Sequence, residues 1–389
     1  MPIATTDIRR LAGLELNALR AADTLPAEVF DGARVAAAGT VIHDVNGEPL
    51  FHRIPLTRGK QRVAFVDIAV NEALGHPLLA VSQGVDWDDK AIMEQAVAAA
   101  RKKRRGLQYD QARFVAYSFP KVAVQFLKED KEVLMLEWMT WAEVPPAKYA
   151  ERKREEPPGN FERWSLLNEM PAATKRTNAK KYLQRAQQWK ARKFARLEPF
   201  VINKAKFLKV AVFKLVETYE VHYSPRTADH AVCFELRGQE TNVWCVGASV
   251  QMLLLFYRYN YTQTRLATEL GLGTPSNPNG LPYGQEQKVV DTIEKLSSNA
   301  LDASMIANPA WSAYYNDLKA NRPMISFIPG HSRAVAGYTR NLLALVGFTP
   351  FRGLLVYDPW PPNAGVITRW ENFDTTTYRF AFTAVLKHV

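Results

Sequence analysis

The chain has 389 residues, 47% of them hydrophobic and 23% charged, with 20 glycines and 23 prolines. That length suits two ordinary domains, and the composition excludes global disorder, a fibre and a low-complexity chain. A net charge of +11 would suit nucleic acid or an anionic membrane if it sat on a folded face, but residues 1–147 carry −1, 148–227 carry +11 and 228–389 carry +1.

In chain order, Met1–Thr24 interrupts its apolar stretches with charges and lacks the continuous apolar core of a signal peptide. No run of about 18 apolar residues follows, so no membrane-spanning helix is expected. The default compartment is then cytoplasmic, with leaderless export left open. Pro49–Leu56, Arg62–Val70 and Pro77–Val81 read as consecutive strands from their β-branched and aromatic content. Asp86, Asp88 and Asp89 precede the Ala-rich stretch Ala91–Arg105, which ends in RKKRR. Acid at the start and base at the end complement a helix dipole, so this stretch is expected to be helical. Arg113–Leu127, interrupted near Pro120, and Glu132–Trp141 complete an α+β unit over 1–147.

Residues 148–227 form a basic connector. Within it, 176–197 places Leu183, Ala186, Trp189, Phe194 and Leu197 near helical spacing among Lys and Arg. Such a helix could touch nucleic acid or an anionic membrane. The favoured reading is plainer, a solvated connector packing one thin stripe. Residues 207–223 look like strand, with their neighbour undetermined.

The two cysteines, Cys233 and Cys245, cannot build a disulfide framework. Cys245 precedes Val246–Tyr259, where Ser249, Met252, Leu253 and Phe256 recur at helical spacing. It therefore stands at a helix start, where unpaired N–H groups and the dipole stabilise a thiolate. Gln239, six residues earlier, can donate with the Cys245 N–H to an oxyanion forming beside the sulfur. A thiolate needs a general base. His331 follows the strand-like Pro323–Pro329 and Gly330, and opens another strand at Ser332–Tyr338. Asp358 ends Leu354–Asp358 and can orient the imidazole, with Trp360 shielding their bond. Trp244 and Trp360 are expected to wall the cleft. Cys233 has no partner motif and is expected to be structural.

This order of Gln, Cys on a helix, then His and Asp on successive strands resembles the papain-like cysteine peptidases. The bacterial branch is most similar, with its bacteriocin-leader-processing peptidases and AvrRpt2-type effector proteases. The resemblance spans 228–389 and implies a papain-like fold, a helix bearing Cys packed on an antiparallel sheet bearing His and Asp. It implies Cys245 as nucleophile, His331 as base and acid, Asp358 as orienter and Gln239 as oxyanion donor, acting on peptide or protein substrates. Asp358 stands where plant papains use Asn, and the disulfides of those enzymes cannot be carried over. Residues 45–105 are similar to the propeptide of streptopain-type peptidases. This second likeness implies a zymogen, with the N-terminal block as intramolecular partner and an activating cut in the connector. Acyl transfer or deamidation on the same residues, and a non-catalytic protein binding through its basic connector, remain open. The histidines and cysteines lack zinc-ligand spacing, no Walker A loop occurs, and no metal or cofactor is expected.

Overall fold

The computed structural model describes residues 5–84, 86–146, 163–190, 198–204, 216–222, 224, 234–341 and 352–387. The N-terminal block begins with helices α1 (Thr5–Ala21) and α2 (Ala27–Phe30). Strands β1 (Arg34–Val35), β2 (Thr40–Asp44), β3 (Pro49–Arg58), β4 (Gln61–Ala69) and β5 (Leu78–Gln83) follow. Helix α3 (Asp89–Lys103) leads to β6 (Gln111–Ser118), β7 (Lys121–Lys128) and β8 (Lys131–Glu137). Asp88 caps α3 by accepting from the Ala91 N–H at 3.1 Å, which satisfies a donor that the first helical turn would leave unpaired.

Strand β4 is apolar on both faces because both faces are covered. Ala64, Val66 and Ile68 pack with α1, while Phe65 and Ala69 face the cluster that holds Ile92, Ala96 and Ala100 of α3. Asp67 sits among these buried residues and is matched by Arg53 in a bidentate pair of 2.9 Å bonds. Helix α1 was not foreseen from the sequence, because its charges are themselves buried. Glu15 is 2% exposed and accepts from the Arg185 guanidinium and from the Trp189 indole N–H at 2.7 Å. Both donors belong to α4 (Ala172–Trp189), the basic helix.

Helix α4 forms where a basic helix was expected, but its buried face differs from the expected stripe. Trp189 of that stripe is buried, but its companions are Asn178, Tyr182 and Arg185, whereas Leu183 is 49% exposed. Specific bonding sets the face: Asn178 donates to Ala73 O, Tyr182 to Ala69 O and Arg185 to Glu15. The helix is therefore docked on the N-terminal block. Phe194 and Leu197 lie outside the described residues, as does Cys233.

Strand β9 (Val216–Glu220) falls in the segment read as strand. The remaining elements are α5 (Cys245–Phe256), α6 (Gln263–Leu270), β10 (Gly273–Thr274), β11 (Asn277–Pro278), α7 (Gln287–Leu296), β12 (Leu301–Ala307), α8 (Trp311–Lys319), β13 (Met324–Ile328), β14 (His331–Asn341), β15 (Arg352–Asp358), β16 (Val366–Asn372) and β17 (Phe380–Leu386). Helix α5 is apolar nearly all round and packs on β13 and β14, as a helix buried between layers must. The C-terminal part is a mixed α+β arrangement with an α+β region before it.

Among the described residues one sheet runs through both parts in the order β12-β17-β13-β14-β15-β16-β5-β4-β3-β2-β6-β7-β8, with β9 beside β14 and β1 beside β3. The seam is antiparallel pairing of β16 with β5, Ile367 opposite Gln83 and Glu371 opposite Ala80. Ser82 and Thr368 share a 2.9 Å hydroxyl bond across it. This pairing covers the facing edges of β5 and β16, and the β6–β7 turn comes up to the residues around His331.

Candidate active site

Cys245 is the first residue of α5 and His331 the first of β14. The β13–β14 pairing sets Ile328 opposite His331, so the intervening turn is tight. Gly330 adopts φ +65° there, a conformation that glycine reaches without a Cβ penalty. Asp358 ends β15 beside β14, with Ala334 opposite Tyr357. The sheet thus sets the spacing between imidazole and carboxylate, while the helix packed on it supplies the thiol.

His331 Nε2 and Asp358 Oδ1 are 2.7 Å apart, and Asp358 Oδ1 also accepts the Trp360 backbone N–H at 2.9 Å. His331 lies close enough to Cys245 for each to shift the other's titration, and with Nε2 held by Asp358, Nδ1 is the ring nitrogen left for the sulfur. His331 and Asp358 are each 5% exposed. Burial alone would raise the Cys245 thiol. The hydrogen bond and charge of His331, with the charge of Lys121 and the Ser332 backbone N–H, overcome burial and hold the thiol below its usual value. Burial opposes the His331 cation as well, but Asp358 and Cys245 outweigh it and raise the imidazole. The Asp358 carboxyl is pushed up by burial, yet it is held below its ordinary value by His331, by Arg333 and by the Trp360 N–H. The three groups therefore favour a thiolate beside an imidazolium, the pair behaving as one coupled unit.

Gln239 is fixed from both sides. Its N–H donates to Pro359 O at 2.9 Å and its carbonyl accepts from the Asn363 N–H at 2.8 Å. The approach is close enough that a Cβ on Gly238 would come within 2.5 Å of Ala364 N, so the loop carrying Gln239 is clamped to the loop beyond Asp358. The Gln239 side-chain amide donates to Thr241 O at 2.6 Å, and an amide nitrogen carries a second N–H besides.

A cleft is lined by Cys245, Gln239, His331 and Trp360, with Val243, Leu281 and Phe327 among its apolar surface. Gly280–Tyr283 also line it. Trp244, expected on the cleft wall, is instead wholly buried. Its indole N–H donates to Leu272 O at 2.9 Å, so it anchors the start of α5 from within the core. Trp360 does line the cleft, and its far side packs with Val115, Tyr117, Ala123, Met135 and Val144 of the N-terminal block.

Sequence reasoning missed Lys121, Arg333 and Glu371. Lys121 lines the cleft from the N-terminal block. Arg333 and Glu371 form a buried pair, one contact being 2.9 Å, and the Arg333 charge helps keep Asp358 ionised. Alternation on β14 could have flagged Arg333 as inward-facing between Ser332 and Ala334. No local signal marks Lys121.

Residues 232–382 match the Peptidase_C39 like family, giving the chain a C39-like domain of the papain-like cysteine peptidase kind. A double glycine motif protease from an AMS/PCAT transporter, solved in complex with the leader peptide, is 14% identical over 39% of this chain and 91% of that one, with a TM-score of 0.26. UfSP from C. elegans is 11% identical over 44% of this chain and 34% of that one, with a TM-score of 0.25. No curated protein matches the chain. No helix among the described residues is long and apolar enough to cross a membrane.

Proposed function

We propose that the protein hydrolyses peptide bonds through Cys245, His331 and Asp358. The Cys245 thiolate adds to the scissile carbonyl, and the oxyanion is met by the Cys245 backbone N–H and the second N–H of Gln239. His331 protonates the leaving amine from Nδ1, then takes a proton from the water that opens the thioester, while Asp358 holds the ring and its charge. The observation that carries this reading is the placement of one imidazole between Cys245 and Asp358, with a 2.7 Å bond to the carboxylate.

The reading extends to residues 1–147 as a regulatory partner within a precursor, processed in 148–227. The contact of the β6–β7 turn with Pro329, Gly330 and Trp360 supports it. Full-length wild type and Cys245→Ala should be incubated with an unfolded protein, and new N-termini mapped in both substrate and enzyme. Cuts in the substrate that require Cys245 are expected. Equal cutting by both proteins would sink the reading, and absence of Cys245-dependent cuts within 148–227 would remove the precursor part.

A further inference from the structure

Lys121 opens β7 in the N-terminal block. It is 6% exposed, yet it lines the same cleft as Cys245, Gln239 and His331. Two contacts carry it there: Ser118 Oγ donates to Pro329 O at 3.1 Å, and Trp360 is packed into the N-terminal cluster around Tyr117. A cut between residues 146 and 163 would leave β5 paired with β16, so Lys121 keeps its place in a nicked chain.

An ammonium has three N–H donors. One reaches Gly330 O at 3.4 Å, and the Tyr117 and Trp360 rings stand 5.5 and 5.7 Å from Nζ. Among the described residues no carboxylate lies in ion-pair range of it. Glu137 is near enough to feel its charge, but burial pushes that carboxyl up to about 8, so it is largely uncharged at neutral pH. A buried ammonium with unused donors is costly unless an acceptor completes it.

The chemistry of the site tells which side that acceptor comes from. His331 must protonate the leaving amine, so the leaving fragment lies beside the imidazole. Lys121 flanks that side, touching Gly330, which precedes His331, and Trp360, whose N–H holds Asp358. We propose that Lys121 is an anion subsite on the leaving-group side of the cleft that binds a carboxylate of the substrate, from an acidic side chain or a free chain terminus. This rests on the peptidase reading for the placement of the leaving fragment.

The test uses full-length Cys245→Ala, which holds peptides uncut, alone and combined with Lys121→Met or Lys121→Arg. Three fluorescent peptides share one sequence: one with an acidic residue just after the scissile position and an amidated end, one without the acid but with a free carboxylate end, and one with neither. A charge-assisted contact predicts that one or both carboxylate peptides bind roughly tenfold or more tightly than the neutral one. Which of them does so identifies the source. The preference should collapse towards one in Lys121→Met and persist in Lys121→Arg. Equal binding of the three peptides by the parent protein, or a preference that survives Lys121→Met, overturns the subsite. Should Lys121→Met fail to fold, the parent and Lys121→Arg still decide it. Hydrolysis of the neutral peptide by the Cys245-bearing chain is scored separately, so failure of the peptidase reading is distinguished from failure of the subsite.

Discussion

Replacing Asp358 by Asn tests whether the carboxylate acts through charge or only through geometry. The carboxylate holds His331 Nε2 at 2.7 Å and the Trp360 N–H at 2.9 Å. Both bonds can be kept by an amide oxygen. A hydrogen bond to a charged group contributes about 1.5–3 kcal/mol, and a neutral acceptor retains about half of that. The remaining loss of about 0.75–1.5 kcal/mol corresponds to a roughly four- to twelvefold fall in kcat/KM. Asp358→Ala leaves Nε2–H without its partner and should cost about a hundredfold. The pH profile gives a second readout. Asp358 raises His331, and His331 in turn lowers Cys245. Without the carboxylate the imidazolium is lost at lower pH and the thiolate forms at higher pH, so the bell of kcat/KM should narrow from both sides. Rates of thiol alkylation across pH 4–10 should follow the same change. An Asn variant with wild-type rate and an unchanged bell would refute the assignment of Asp358 as orienter.

Gln239→Ala should lower kcat by about 10²–10³ with little change in KM, as removal of an oxyanion donor does; steady-state kinetics check this. Glu137 should remain protonated in the folded protein up to about pH 8, whereas it ionises near 4.5 once unfolded. Its contribution is therefore full below pH 4.5 and is lost as pH rises towards 8, by roughly 5 kcal/mol at most. Thermal melts should accordingly show Glu137→Gln stabilised at pH 8 and little changed at pH 5. Arg333→Met leaves Glu371 as an unpaired charge at 2% exposure, and urea titration should show a loss of about 3–5 kcal/mol. Arg333→Met with Glu371→Leu should recover most of it.

The chemistry was more legible in the sequence than the architecture, for physical reasons. A thiol at a helix start, a histidine after a glycine turn and an aspartate at a strand end are local features, and the structure brings all three together. Strands β3 to β5 and helix α3 could be read because their patterns are also local. Helix α1 hid behind Glu15 and Arg20, whose charges are buried through partners at Arg185 and Asp31. The face of α4 was misplaced for a related reason: Asn178 and Arg185 are buried by specific hydrogen bonds rather than by hydrophobicity. Pairing of β5 with β16 joins residues nearly 300 positions apart, as the Leu78–Asn372 contact shows with a separation of 294, and no periodicity encodes a partner at that distance. Lys121 belongs to the same class. As a lysine after Pro120 it reads as a solvated strand end, and only the sheet seam turns it towards the thiol. The +11 charge looked like a binding surface until it was assigned to segments; α4 then uses part of that basic segment to grip Glu15.

The central claim is that Cys245 forms a covalent bond with the substrate carbonyl. Full-length protein should be mixed with a cleavable peptide, quenched in acid within milliseconds to seconds, and analysed by intact and peptide-level mass spectrometry. The account predicts a thioester adduct of the acyl fragment on Cys245. It also predicts that Cys245→Ala forms no adduct and hydrolyses the peptide at roughly a thousandth of the rate or less. Hydrolysis that proceeds undiminished in Cys245→Ala, with no adduct on the wild type, would contradict it.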